Sequence, residues 1–311
     1  MRLPWRAEAD LSIFFDFVPP PYGGANQFLR ALWNELEGRG LRLENNRISR
    51  TTRACLYNSF NFDNRRLRRQ KRAGCRMVHR VDGPISAYRG ADETIDREIW
   101  ALNHDLADAT VFQSEYSRRR HLEMGLEFTC PTVILNAVDG RVFHARERAP
   151  FDRARKIRLM STSWSDNPNK GAATYAWLED HLDWDRYDYT FVGRSPVPFR
   201  RIQTIPAVDS ERLAAILRAH DVYITASRHD PCSNALLEAL SCGLPSLHLD
   251  SGGHRELVGE AGLSFTEPEA LPLLLDRLVD EYESRQARIS VPTVSEVADR
   301  YLAVMNLEHR A

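Results

Sequence analysis

The chain has 311 residues, of which 43% are hydrophobic, and its formal net charge at pH 7 is −1. This length is sufficient for two globular domains, and the near-neutral charge argues against a general nucleic-acid-binding protein, which would be strongly basic. The five cysteines include no CxxC pair, so the sequence indicates neither a zinc site nor a disulfide framework and favours a reducing cytoplasm.

Strand-like and helical segments alternate through the first half of the chain. The amino terminus leads directly into an apolar run and lacks the apolar core of a signal peptide, and no segment approaches the ~18 apolar residues of a membrane span. Helical periodicity lies between the apolar runs, beginning with residues 25–40. The runs themselves predict strands at 11–17, 54–60, 75–81, 109–114 and 132–136. This alternation predicts a doubly wound parallel sheet.

A charged segment without periodicity, residues 137–155, predicts a linker, after which the alternation restarts. Strands are predicted at 156–163, 187–193, 221–227, 244–250 and 262–265, and helices at 171–182, 209–219, 233–242, 268–285 and 293–309. The predicted fold class is α/β, with two Rossmann-like doubly wound domains, 1–140 and 141–290, facing a central cleft. A carboxyl-terminal helix, 291–311, is expected to pack back on the first domain. Ligands of such sheets bind at the carboxyl ends of the strands, which makes the cleft the expected site.

The segment DPCSNALLEALSCGLP, residues 230–245, follows one of these predicted strands. Ser233 or Asn234 can cap the next helix, whose free first-turn N–H groups and positive dipole end suit a phosphate. Small residues there, including Cys232, allow a phosphate to approach closely. Helix capping alone would also explain the polar residues at the start of this segment.

Two acids flank the start of the same helix. Glu238 lies about one turn into the helix and could accept hydrogen bonds from a ribose diol. Asp230 lies in the preceding loop and could reach hydroxyls on the group that the phosphate carries. In a chain with 43 acids, pairs at this spacing also occur by chance, so the spacing alone decides little.

Lys170 is one of only three lysines among 42 basic residues. It follows the predicted strand 156–163, at the mouth of the same cleft, where its ammonium could neutralise a diphosphate leaving group. The alternative is a solvated lysine at a helix start, where its charge opposes the dipole.

Paired glycines follow two further strands. Gly23 and Gly24 follow the first strand, and Gly252 and Gly253 follow the strand at 244–250. Without Cβ atoms they let backbone N–H groups lie along phosphates. A plain strand-to-helix turn would need one glycine more readily than two.

Together these segments resemble the family 4 glycosyltransferases, enzymes of the GT-B fold that transfer sugar from a nucleotide diphosphate with retention of configuration. DPCSNALLEALSCGLP resembles their E-x7-E element and the EAxAxGxP that follows, with Asp230 at the first glutamate. NKG (169–171) resembles their lysine–glycine donor motif. Further similar segments are PYGGA (21–25), FQSEYSR (112–118), ILNAVDGRVF (134–143), VGRSP (192–196) and SGGHRELVGEAGLSF (251–265).

The resemblance implies roles for individual residues. Asp230, Lys170, His79 and Glu238 would serve catalysis. Glu238 and the residues at 232–234, 23–24, 193–194 and 252–253 would bind the donor. The arginine that the family places five residues before its lysine is Ser165 here, and Arg194, next to Gly193, is the candidate replacement.

HRVDGP (79–84) ends a predicted strand of the first domain. The family often has a histidine near this point that contacts the donor sugar, and His79 or Asp82 could serve, with Asp82 as an acceptor-side candidate. A histidine at a strand end is as readily structural.

The implied function is retaining transfer of a sugar from a nucleotide-diphosphate sugar to a hydroxyl of a saccharide, lipid-linked or small-molecule acceptor, with no cofactor and no metal. Two alternatives stay open: a nucleotide-sugar epimerase of the same fold, and a catalytically weak carbohydrate-binding subunit. The basic run RRLRRQKR (65–72) is either a solvated helix face or a contact that holds the protein at the inner face of an anionic membrane. The expected location is cytoplasmic, peripheral at most.

Overall fold

A computed structural model describes residues 8–19, 23–90 and 92–307. Its strands are β1 (Leu11–Phe14), β2 (Leu43–Asn45), β3 (Ala54–Asn58), β4 (Arg76–Val81), β5 (Ala109–Phe112), β6 (Pro131–Val133), β7 (Ile157–Ser163), β8 (Tyr187–Gly193), β9 (Gln203–Ile205), β10 (Val222–Thr225), β11 (Ser246–Leu249) and β12 (Gly262–Phe265). Its helices are α1 (Gly24–Gly38), α2 (Asn64–Gln70), α3 (Ile85–Arg89), α4 (Thr94–Leu106), α5 (Glu115–Glu123), α6 (Ala172–His181), α7 (Ser210–Arg218), α8 (Asn234–Ser241), α9 (His254–Val258), α10 (Leu271–Asp280), α11 (Tyr282–Gln286) and α12 (Val294–Val304).

The described residues divide into two compact units. The first contains residues 8–18, 29–136 and 294–307, and the second contains 19–28 and 137–293. The terminal helix α12 belongs to the first unit, where Arg76 Nε donates to the carbonyl of Val304 at 2.5 Å. The start of α1 belongs to the second unit, although the sequence placed it in the first domain.

The first unit is built on a six-stranded parallel sheet in the order β2-β1-β3-β4-β5-β6. Its central strands are near-continuous apolar runs; all four residues of β1 and all five of β3 are buried. That is the pattern of a parallel sheet covered by helices on both faces. The edge strand β2 was not predicted, because it has only three residues and is partly exposed.

The second unit has a six-stranded parallel sheet in the order β12-β11-β10-β7-β8-β9. The chain runs outward from β7 through β8 to β9, then returns and continues from β10 on the other side of β7. The strand order therefore reverses between β7 and β10. At such a switch point the loops that follow the two strands diverge and leave a crevice for a ligand.

The segment predicted as a linker, 137–155, is anchored to the second unit. Arg155 forms an ion pair with the buried carboxylate of Asp221, with 2.6 Å between Nη1 and Oδ2. Arg148 donates from Nη2 to the hydroxyl of Tyr282 at 2.7 Å, and that hydroxyl donates to the carbonyl of Asp221 at 3.0 Å. These contacts lie near the amino ends of the strands, away from the switch-point crevice.

Candidate active site

Two loops meet at the switch point of the second sheet. Lys170 follows β7 and Asp230 follows β10, and their side chains form an ion pair with 3.0 Å between Nζ and Oδ2. The loop backbones are also joined, because the N–H of Arg228 donates to the carbonyl of Asn169 at 2.7 Å. Two candidate residues that are 60 positions apart in the chain are thus brought together.

Gly171 makes this approach possible, a role that the sequence analysis missed although it quoted the NKG motif. Its φ is +82°, and a Cβ on it would lie 2.5 Å from the Cβ of Ala226. Any other residue would push the Lys170 loop away from the Asp230 loop.

Asp230 is buried, with 8% of its surface exposed. Burial acts to raise the pKa of its carboxyl, but the charge of Lys170 and hydrogen bonds from Lys170 and the Cys232 amide outweigh that effect, so its pKa lies below the ordinary value. Asp230 is therefore ionised at neutral pH and serves as the counter-ion of Lys170.

The amino ends of two helices lie beside this pair. Ser233 caps α8 by accepting a hydrogen bond from the N–H of Leu236 at 3.4 Å. Asn234, the first residue of α8, donates from Nδ2 to the carbonyl of Gly24, the first residue of α1. Cys232 is buried in the turn before the cap. The first-turn N–H groups and dipoles of both helices therefore concentrate positive potential at one place.

The start of α1 is fixed by Gly23 and Gly24. Gly23 has a φ of +76°, which favours glycine, and its carbonyl accepts the N–H of Gln27 at 3.1 Å. A Cβ on Gly24 would lie 3.0 Å from Nδ2 of Asn234. The absence of a Cβ at Gly24 therefore leaves room for the Asn234 side chain against the start of α1.

Glu238 lies one turn into α8 and is 7% exposed. Burial raises the pKa of its carboxyl from 4.5 to about 8, and no hydrogen-bond partner of this carboxyl is found among the described residues. Burial disfavours the charged form of a carboxyl, and groups with such strongly shifted pKa values concentrate at functional sites.

The other predicted donor-site glycines lie in turns that pack tightly against the backbone of neighbouring loops. Gly193 has a φ of +118°, and a Cβ on it would lie 1.9 Å from the carbonyl oxygen of Ser163. Gly252 has a φ of +65°, and a Cβ there would lie 2.1 Å from the carbonyl oxygen of Asp230. The N–H of Gly253 donates to that same carbonyl at 2.9 Å. Both glycine turns thus support the loops that carry Lys170 and Asp230.

Arg194 directly follows Gly193 at the end of β8. Its N–H donates to the carbonyl of Ser163 at 2.7 Å, and its side chain is exposed. Arg228, in the loop after β10, is a second exposed arginine at this edge of the sheet. The sequence analysis considered only Arg194 as a replacement for the arginine absent at Ser165.

His79 is a core residue of the first unit. Its ring is fully buried and stacks on Tyr57 with 4.3 Å between centroids, and its Nδ1 lies 3.0 Å from Nδ2 of Asn103. Burial lowers the pKa of the imidazole to about 3. This enclosure favours the structural alternative over a contact with a donor sugar.

Asp82 follows β4 and belongs to a polar network at the carboxyl ends of the first sheet's strands. Its Oδ1 accepts from Arg80 Nη1 at 3.1 Å and from Gln113 Nε2, and its Oδ2 accepts from Asn58 Nδ2 at 3.3 Å. Arg80 is fully buried, and its Nη2 donates to Oδ1 of Asn136 at 3.0 Å. A carboxylate has about four acceptor positions, so the three contacts leave one, on Oδ2, and the side chain is 16% exposed.

Two classes of feature are absent from the described ranges. No group of three or more His, Cys, Asp or Glu residues within 8–19, 23–90 and 92–307 is arranged to hold a metal ion. No helix in those ranges is long and apolar enough to cross a membrane.

Part of the second unit, which holds the crevice, is similar to a known protein family. Residues 190–281, which include β10 and α8, match the family model of glycosyl transferases group 1. This part of the chain is therefore similar to the group 1 glycosyl transferases. The narrower assignment to family 4 stays a prediction. A search of curated proteins gave no match.

Solved structures are similar to nearly the whole chain. Sucrose-phosphate synthase from Thermosynechococcus elongatus is 16% identical with a TM-score of 0.68, covering 96% of this chain and 95% of that one. Anabaena HepE in complex with UDP and glucose is 15% identical with a TM-score of 0.68, covering 96% and 97%. The E. coli trehalose-6-phosphate structure bound with UDP-2-fluoro glucose is 11% identical with a TM-score of 0.66, covering 95% and 98%. At these identities the likeness establishes the fold, which is GT-B, as predicted.

The Glu238 carboxyl predicts a pH-dependent cost in stability. Its pKa is raised in the folded state, so this carboxyl lowers the free energy of unfolding least below its ordinary pKa of 4.5. The free energy of unfolding then falls as the pH rises from there through about 8. We expect Glu238→Gln to raise the melting temperature at pH values above that limit, by an amount corresponding to a few kcal/mol, and to change it least in acid. Differential scanning calorimetry across this window measures the effect.

The control is Glu211→Gln, which removes an exposed carboxyl from α7. It is expected to shift the melting temperature little at any pH. Equal shifts for the two variants throughout the window would contradict the unpartnered state of Glu238.

Proposed function

We propose that the protein transfers a sugar, with retention of configuration, from UDP-sugar to a hydroxyl of a saccharide, lipid-linked or small-molecule acceptor. The observation that carries the proposal is the position of Lys170 beside the amino ends of α1 and α8, at the switch point of the second sheet. UDP is favoured as the nucleotide because HepE was solved with UDP-glucose and the E. coli protein with UDP-2-fluoro glucose.

In this proposal the donor diphosphate lies against the first-turn N–H groups of the two helices, and Lys170 leaves Asp230 to contact it. Negative charge develops on the diphosphate as the glycosidic bond breaks. Fixed amides and an ammonium in a partly buried site stabilise that charge strongly. These groups supply the positive charge that departure requires, so we expect transfer without a divalent metal. The acceptor hydroxyl attacks from the face that the diphosphate leaves.

Glu238 is the proposed ribose-binding group. Two ribose hydroxyls can donate to its carboxylate, which supplies the partners that it lacks among the described residues. Binding then favours the ionised form, so the donor's arrival is accompanied by release of the proton that Glu238 holds below about pH 8.

On the acceptor side we propose Asp82. Arg80, Gln113 and Asn58 fix its carboxylate, and the remaining acceptor position on Oδ2 suits one hydroxyl. A neutral hydroxyl fits this position better than an anionic group, because the carboxylate would repel a second negative charge.

A membrane contact is proposed for helix α2. Its exposed residues Arg65, Arg66 and Arg69 have no acidic partner among the described residues, whereas Arg68 pairs with Asp105. The free cations point to an anionic bilayer surface, where each contributes about 1 kcal/mol. Such a contact would bring the protein to a lipid-linked acceptor.

The first prediction of this function concerns Lys170. We expect Lys170→Ala to weaken UDP binding and to lower UDP-glucose turnover roughly 100-fold or more, in the presence of EDTA, because the leaving group loses its cation. Calorimetric titration with UDP and release of UDP from UDP-glucose, with methyl and octyl glycosides as acceptors, measure the two effects. Because Lys170→Ala leaves Asp230 buried without a partner, Lys170→Ala/Asp230→Asn serves as a second, neutral variant.

The matched control is Lys156→Ala, at the opposite end of β7, where Nζ donates to the carbonyl of Trp184 at 2.7 Å. It is expected to bind UDP as the wild type does. Wild-type turnover in both Lys170 variants would contradict the proposal. Isomerisation of the donor without an acceptor would select the epimerase alternative, and UDP binding without turnover would select the non-catalytic one.

A second prediction concerns Asp82. The double variant Arg80→Gln/Asp82→Asn removes both charges and keeps hydrogen-bonding groups, so no buried charge is left unpaired. We expect transfer to each glycoside that the wild type uses to fall at least 10-fold while UDP affinity is unchanged. Unchanged acceptor kinetics in a folded double variant would rule out Asp82 as the acceptor contact.

A third prediction tests the membrane contact. Replacing Arg65, Arg66 and Arg69 by Gln should abolish sedimentation with phosphatidylglycerol vesicles, and pure phosphatidylcholine vesicles should not bind either protein. The control replaces the ion-paired Arg118, Arg119 and Arg120 of α5 by Gln. Retained sedimentation of the α2 variant, or equal loss in the control, would contradict a specific role for α2.

A further inference from the structure

A buried histidine lies against the Asp230 loop and has no part in the function proposed above. His254 is the first residue of α9 and is fully buried. Its Nδ1 lies 3.0 Å from the carbonyl oxygen of Leu249; since a carbonyl can only accept, Nδ1 carries the proton. Nε2 is then an unprotonated acceptor, and no partner for it is found among the described residues.

The backbone at the start of α9 contacts the Asp230 loop. Gly253, the residue before His254, donates its N–H to the carbonyl of Asp230 at 2.9 Å. Gly252 approaches the same carbonyl so closely that a Cβ there would lie 2.1 Å from it. The start of α9 is therefore docked on the residue that pairs with Lys170.

Charges from each neighbouring element act on the imidazole. Burial lowers its pKa most, the carboxylates of Asp230 and Asp250 raise it, and Lys170 lowers it, with a net result below the ordinary value. The neutral ring of His248 lies 6.2 Å away between centroids. The charge of Arg255 lowers the pKa of His248. With Lys170 on Asp230, His254 is accordingly neutral.

Donor binding changes this balance. If Lys170 moves to the diphosphate, Asp230 stays buried and loses its cation. An ionised carboxylate without a partner in such a place is strongly destabilising. The unpartnered Nε2 of His254 is the group placed to replace the lost charge.

We propose that His254 takes up a proton at Nε2 when Lys170 engages the donor diphosphate, and that the resulting imidazolium becomes the counter-ion of Asp230. The proton comes from the buffer, and both ring nitrogens are then donors: Nδ1 donates to the Leu249 carbonyl, and Nε2 carries the added proton. His254 is a positioning residue: it keeps Asp230 ionised and in place while Lys170 serves the donor. The proposal rests on the proposed function of Lys170.

Proton counting tests this exchange. UDP-glucose is the probe, because its diphosphate has no terminal group that titrates near neutral pH. Calorimetric titrations in buffers of different ionisation enthalpy give the number of protons exchanged per donor bound. In the wild type, uptake at His254 offsets release from Glu238, so the net exchange is near zero. In His254→Asn, whose amide can still donate to the Leu249 carbonyl, about one proton is released.

The matched control is His248→Asn, a second buried histidine on β11, which should exchange protons as the wild type does. Equal proton counts in the wild type and in His254→Asn would overturn the proposed role of His254 and leave the proposed function of Lys170 standing. Failure of wild-type protein to bind UDP-glucose would overturn the proposed function, and the exchange with it.

A second measurement does not depend on a variant folding. Long-range proton–nitrogen NMR of wild-type protein near neutral pH reports the protonation of each histidine nitrogen. Adding UDP-glucose should convert the Nε2 signal of His254 from the unprotonated to the protonated type. An unchanged signal in the donor-saturated protein would contradict the proposal.

Discussion

The ion pair between Lys170 and Asp230 is the interaction on which the donor site depends. The two residues come from loops that the strand order β10-β7 brings together at the switch point. Gly171 and Gly252 allow the approach of the supporting backbones, and the start of α9 docks on Asp230. Because removing one partner of a buried pair is costly, the pair holds both loops in place without a ligand. It also keeps an ammonium beside the amino ends of two helices.

Several features around this ion pair lower the stability of the unliganded fold. Glu238 is a buried carboxyl without a partner, Nε2 of His254 is a buried acceptor without one, and the ends of α1 and α8 concentrate positive potential in one place. Each of these features destabilises the unliganded domain, and in the proposed function each is relieved when a nucleotide-sugar binds: ribose hydroxyls donate to Glu238, His254 is protonated as Lys170 moves, and the diphosphate meets the helix ends. The site would therefore be complementary to the proposed donor in charge and in hydrogen bonding.

The sequence predicted the elements that depend on local pattern. Buried strands such as β3 and β8 appear as apolar runs, whereas β2 and β9 are three-residue edge strands with little apolar signal. A helix predicted at 268–285 is broken at Glu281 into α10 and α11. Sequence patterns did not reveal contacts between distant residues. Gly193 and Gly252 lie directly against the backbone of other loops, and His79 is buried in a core. The partner of Asp230, 60 residues away, could be found only in three dimensions.

The most direct test of this account is a crystal structure of the wild-type protein with UDP. The account predicts the diphosphate against the first-turn amides of α8, Lys170 Nζ within about 3 Å of a phosphate oxygen, and ribose hydroxyls on Glu238. UDP bound elsewhere, or bound here with Lys170 still paired to Asp230, would contradict it.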